Sequence, residues 1–253
     1  MKNVPLLRWL VLASTVLMIT LNSLPASVFN GQSNAVMSRK YQTLITPAGY
    51  AFAIWGLIFI GVLAYAIYQV MPGQRSNPRF SAAAPWAIAN MILNGFWTVI
   101  FGQEWIALAT LVIIADLLTL YKIVDALGIN RVRVSPIETA IARVPFSIYF
   151  GWLTVATTVC IAFFLKANGF DAFALGEQTW AVVMLVVALG IGAVVFNKYR
   201  NVAYMLVFTW AYYAISVQTR TIPMVPTVAI AGAVGAVVLA VIGLLKRRKL
   251  SNE

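Results

Sequence analysis

Long apolar runs broken by short polar stretches organise this chain. A membrane-crossing helix needs about 20 mostly apolar residues, roughly 17–25. Eight runs approach or meet that length, at 6–29, 50–71, 82–101, 105–124, 144–165, 180–196, 202–217 and 228–245, the sixth and seventh being the shortest. No run alternates apolar and polar residues at period two, so the pattern predicts helices rather than a β-barrel. The expected fold class is an all-α polytopic membrane protein with about eight transmembrane helices.

Composition supports that reading. Hydrophobic residues make up 62% and charged residues 10% of the 253 positions, and mean hydropathy is +0.88. A soluble domain carries roughly 45–50% apolar and about 25% charged residues, so too few charges are present to cover a water-facing surface. With no histidine and one cysteine, Cys160, imidazole metal sites, Ser-His-Asp triads and Cys-x-x-Cys chemistry are excluded. No nucleotide-binding glycine motif is present either. The reading therefore leans away from an enzyme and requires no cofactor.

The net charge of +11 is spread over the short segments between runs and forms no single nucleic-acid-binding patch. If eight spans are correct, Lys2, Arg8, Arg75, Arg79, Lys122, Arg131, Arg133, Arg143, Lys198, Arg200 and Lys246 to Lys249 fall on one side, and Arg39, Lys40, Lys166 and Arg220 on the other. That is 14 of the 18 basic residues against four. The positive-inside rule then puts both termini in the cytoplasm of a bacterial-type inner membrane. The first run, with Lys2 and Arg8 ahead of it, could be a signal peptide cleaved near Leu24-Pro25-Ala26. Its length and the poor small-x-small match favour a retained anchor. The tail Lys246-Arg247-Arg248-Lys249 reads as a stop-transfer flank with some affinity for acidic lipid headgroups.

In a bilayer, the polar and aromatic exceptions carry the information. Trp86, Asn90, Asn94, Trp97 and Phe101 share one face of the third span at spacings of four, four, three and four. Two amides a turn apart serve either as interhelical glue or as orienting groups for a ligand. Phe52, Trp55 and Phe59 line a face of the second span, and Tyr149, Trp152, Ala156 and Cys160 one of the fifth. Asp116 lies 11 residues beyond Trp105, about 16 Å along a helix and near mid-membrane. It is a candidate proton site, with Thr119 one turn on as a hydrogen-bond partner, or else an acid bonded to a neighbouring helix. The stripe Gly232, Ala236, Ala240 and Gly243, and the pair Ala188 and Gly192, allow close helix approach within one chain or in a homo-oligomer.

Three of these segments together resemble one family. Residues Tyr41 to Phe59, including Thr46-Pro47-Ala48-Gly49-Tyr50-Ala51-Phe52 and Trp55, are similar to the loop and second-helix motif of the TspO/MBR family, the tryptophan-rich sensory and translocator proteins. Leu93-Asn94-Gly95-Phe96-Trp97 resembles that family's Leu-Asn-x-x-Trp, and Tyr149-Phe150-Gly151-Trp152-Leu153-Thr154-Val155-Ala156-Thr157 its fifth-helix motif. Tyr50 stands where the family has tryptophan, and Cys160 where it has asparagine. The resemblance covers about residues 6–166. It implies a five-helix domain over 1–166, followed by three additional helices in 167–253. It further implies a pocket for a porphyrin or sterol-like molecule, lined by Trp55, Asn94, Trp97, Tyr149, Trp152 and Ala156.

With the helical faces added, the expected ligand residues are Tyr50, Phe52, Trp55, Asn90, Asn94, Trp97, Phe101, Tyr149, Trp152, Ala156 and Cys160. The leading function is a membrane-embedded binding or sensory protein for a hydrophobic planar ligand, a tetrapyrrole such as protoporphyrin being the candidate. The alternative is a proton-coupled transporter using Asp116, although the two halves of the chain show no repeat. Light-dependent porphyrin breakdown and a structural role in a larger membrane complex stand behind these.

Overall fold

The structure is a computed structural model and describes residues 5–24, 26–170 and 175–251, with side chains through Leu245. Lys2, Pro25 of the candidate cleavage site and the side chains of the basic tail lie outside the described residues.

Among the described residues every regular element is helical. Seven helices are long and apolar enough to cross a membrane, and an eighth, Val202–Gln218, is apolar but shorter at 17 residues. These correspond to the eight expected runs. The elements are α1 (Leu6–Ser23), α2 (Asn34–Lys40), α3 (Ile54–Tyr68), α4 (Pro78–Gly102), α5 (Ile106–Ala126), the single turn α6 (Pro136–Glu138), α7 (Val144–Ala167), α8 (Glu177–Tyr199), α9 (Val202–Gln218) and α10 (Val225–Ser251).

Helix ends follow local chemistry. The first helix stops short of the expected residue 29, because Pro25 disfavours a helical ψ at the residue before it. Leu24 is extended there, at φ −68° and ψ 143°. Asn77 caps α4 by accepting from the Arg79 amide, with Pro78 at the first helical position. Between α6 and α7, Thr139–Arg143 forms a π-helical turn. Pro145 offers no N–H to the Ile141 carbonyl and its ring crowds that oxygen, so the chain widens there. Arg200, left-handed at φ 48°, closes α8, and Asn201 caps α9 immediately after it, making a two-residue helical hairpin.

The chain divides into two compact units, Met1–Lys40 with Trp55–Phe150, and Tyr41–Ile54 with Gly151–Glu253. In the first, α4 packs between α1 and α5. Glycine sets the closest approach: a Cβ on Gly95 would lie 3.2 Å from the Met18 Cα of α1. Tyr65 of α3 meets the rings of Phe80 and Phe146 edge-on at 5.5 and 4.9 Å. Arg8, read in the sequence only as an orientation charge at the start of the first run, sits in the first turn of α1 and is fully buried. Its guanidinium donates to the carbonyls of Gln69 (3.1 Å), Gln74 and Asn77 (2.6 Å) and to Ser81 Oγ (3.0 Å). Gln69 Nε2 returns a bond to the Arg8 carbonyl at 2.7 Å. These are carbonyls left over where α3 ends and α4 begins, so the planar fork of arginine satisfies several at once.

In the second unit α9 and α10 make the tightest pair, with α8 against both. The small-residue stripe of α10 works within the chain. A Cβ on Gly232 would lie 2.4 Å from the Tyr212 ring, and one on Gly243 3.1 Å from the ring of Phe196. Tyr212, so seated, donates to the Leu185 carbonyl at 2.6 Å.

Adding a methyl at Gly95 forces α1 and α4 apart, at a cost of about 1–3 kcal/mol. Gly95→Ala is therefore expected to lower the detergent-solubilised unfolding temperature by several degrees. Gly56→Ala, where a Cβ meets nothing within 4 Å, leaves it unchanged or slightly higher. Thermal scanning of both variants checks this.

Candidate functional site

A buried polar cluster in the first unit lies where the sequence puts an acid inside an apolar run. Asp116 is in the middle of α5 and 1% exposed. Asn90, Asn94 and Thr119 around it are also buried. Because α4 presents its amides one turn apart, both reach the same carboxylate: Asn90 Nδ2 donates to Asp116 Oδ1 at 2.5 Å, and Asn94 Nδ2 to Oδ2 at 3.3 Å. Tyr149 of α7 donates its hydroxyl to the same Oδ2 at 3.2 Å. Thr119 bonds the Asp116 main-chain carbonyl at 2.6 Å rather than its carboxylate, and accepts from Asn90 at 3.0 Å. Three helices thus meet on one side chain. In hydrocarbon, each of these groups left alone would cost several kcal/mol.

Aromatic rings adjoin the knot through Tyr149. Its ring lies 5.8 Å from Trp55 edge-on, and Trp55 lies 5.4 Å from Phe59. On α4, Trp97 stacks on Phe101 at 4.8 Å with planes 14° apart, and its indole N–H donates to the Ala109 carbonyl at 3.0 Å. Trp55 and Trp97 are half-buried and Phe101 is buried. Trp86, on the same helical stripe by spacing, is 41% exposed with Lys122 Nζ 5.7 Å from its ring centre.

The remaining expected residues belong to the second unit. Phe52 meets Trp152 edge-on at 5.6 Å, and Trp152 is 2% exposed. Ala156 is half-buried and Cys160 buried farther along α7. Tyr50 is exposed and packs against Trp210 at 5.3 Å, while Trp210 Nε1 holds the Ala51 carbonyl at 3.1 Å.

Sequence reasoning missed the outward continuation of the knot. Asn22 of α1 donates to Asn94 Oδ1 at 3.3 Å, Thr98 donates to Asn22 Oδ1 at 3.1 Å, and Asn34 of α2 donates to Thr98 Oγ1 at 2.7 Å. One signal was available, since Thr98 stands one turn beyond Asn94 on the same face. Nothing in the sequence pairs either with Asn22 or Asn34.

Apolar spanning helices that turn their amides, acid and phenol inward define an integral, polytopic helical membrane protein. Within that class, residues 8–244 match the family model described as TSPO-like protein, and the chain belongs to the TSPO-like family. The match runs through the last three long helices as well as the first five. No curated protein and no solved structure matches the chain.

Asp116→Asn puts an NH2 group where two amides and a phenol need an acceptor. It is expected to cost about 1–3 kcal/mol, whereas Tyr149→Phe removes one donor and costs about 1 kcal/mol. Denaturation midpoints in detergent, with the double variant losing less than the sum, would show that the groups act together.

Proposed function

We propose that this TSPO-like protein binds a hydrophobic, planar small molecule in the membrane, in the manner of a sensory or carrier protein. The ligand class is porphyrin- or sterol-like, and the contact face lies in the first unit. The observation that carries the reading is Tyr149. Its ring meets Trp55, which in turn meets Phe59, and its hydroxyl donates to Asp116, the carboxylate that also accepts from Asn90 and Asn94. Half-buried indoles supply stacking area for a flat ring system, and fixed amides beside them orient a polar edge. Family membership supports the reading, and the protein's partners on it are the bilayer and this small molecule. Trp152 and Cys160 of α7, with Phe52, Ala156 and Tyr50, belong to the second unit, where Phe52 meets Trp152 and Tyr50 meets Trp210.

The charge asymmetry supports placing both termini in the cytoplasm of a bacterial-type inner membrane. Proton-coupled transport through Asp116 is the second reading. The carboxylate already accepts from three donors on two other helices, an arrangement suited to holding a site in shape, so binding is preferred. Transport that persists unchanged in Asp116→Asn would remove that residue from any transport mechanism.

Titrating purified protein with protoporphyrin, followed by the Soret band, tests the binding reading. Saturable binding is expected, with Trp55→Ala weakening it about 3- to 10-fold through the loss of roughly 0.5–1.5 kcal/mol of ring contact. Trp180→Phe, in the second unit, leaves affinity unchanged. Equal affinity in wild type and Trp55→Ala, or no saturation, would overturn the assignment.

A further inference from the structure

A pocket lies at the end of α1 and α4 away from Arg8 and Arg79, in the first unit. It encloses about 170 Å³ between the last turn of α1, the segment leading into α2, and the last turn of α4. Its lining mixes two chemistries. Leu21, Phe29 and Val99 contribute apolar surface, and Asn22, Asn34 and Thr98, bonded in a row, contribute polar groups. None of the residues that line it is charged.

The pocket is built into the fold. The Gln32 amide donates to the Gly102 carbonyl at 2.8 Å, and Gln103 Nε2 donates to the Phe29 carbonyl. A Cβ on Gly102 would lie 2.6 Å from the Gln32 oxygen, so only glycine lets the two backbones touch. Lys40 and Glu104 pair across the same junction. The loop is thus fastened to the end of α4, while Asn34, Thr98 and Asn22 hold one another in a fixed row.

We propose that this pocket binds a small neutral group bearing hydroxyls on an apolar stem. Size limits it: a cavity of about 150 Å³ holds a benzene-sized molecule, so about six to eight heavy atoms fit. The lining excludes a charged group, which would be desolvated without a counter-charge. It equally disfavours a purely apolar one, which would cover amide and hydroxyl groups without bonding them. A free short-chain diol and the glycerol end of a neutral lipid share this chemistry. The row from Asn34 to Asn94 ends on Asp116. Amides pass on hydrogen-bond orientation and not protons, so the row is no proton wire. The binding proposal does not rest on the porphyrin reading.

The test uses the full chain in nanodiscs with asparagine side chains labelled with nitrogen-15, resonances being assigned by single Asn→Asp variants. The probes are 1,2-hexanediol in solution and 1-octanoylglycerol in the bilayer. Saturable shifts of the Asn22 and Asn34 amides, with Asn77 unmoved, are expected with at least one probe. A response to the diol identifies a water-borne ligand, and a response to octanoylglycerol alone a lipid headgroup. Ala26→Leu, which narrows the pocket from its loop side, and Thr98→Val, which removes the central hydroxyl, are each expected to weaken binding about tenfold. Should Thr98→Val unfold, Ala26→Leu carries the test. No saturable shift with either probe, an equal response to cyclohexane, or full affinity in Ala26→Leu would overturn the proposal, whatever protoporphyrin does.

Discussion

Hydrocarbon offers no hydrogen bonds, so every polar side chain placed in a span must find its partners in the protein. Asp116 shows what this constraint builds. Its carboxylate is nearly inaccessible, and the donors it takes come from α4 and α7 rather than from its own helix. Once Asn94 is turned toward Asp116, its own oxygen is available to Asn22 on α1. The rotation of four helices about their axes is thereby tied to one acid. Apolar packing alone would fix it poorly, because lipid tails and leucines are equivalent surfaces.

Arg8 applies the same rule at the start of α1. A helix end and a tight connection leave carbonyls without partners, and one guanidinium collects those of Gln69, Gln74 and Asn77. Close by, Asn77 also donates to Glu138, which pairs with Arg79 in a two-bond fork at 2.8 and 2.7 Å. Charged residues near the membrane surface therefore act in two ways here. Their number carries the orientation argument, and their geometry holds the helix connections.

The second unit is organised differently. It relies on glycine faces that receive aromatic rings, Gly192 against Phe208 and Gly232 against Tyr212, and on a hairpin with only Arg200 and Asn201 between its helices. Where the helices touch closely, dispersion contacts replace the polar knot as the source of specificity. The polar interior on which the binding proposal rests therefore belongs to the first unit.

Spans, class and family were open to reading from the chain because they depend on quantities that run along it: bilayer thickness, hydropathy and motif order. The Asn90–Asn94 face was legible for the same reason, since positions four apart share a helical face whatever surrounds them. So was Asp116, the exception in an apolar run. Partners were not legible. Asn22 and Asn94 are 72 positions apart, and Asn34 and Thr98 64. Which of them meet depends on the register and rotation of separate helices. Arg8 looked like a solvent-side charge because nothing local reveals that three carbonyls converge on it. The loop pocket arose only when Gly102 allowed two backbones to touch. Composition and spacing determined that this is a helical membrane protein with polar groups to hide; tertiary packing decided what each of them holds.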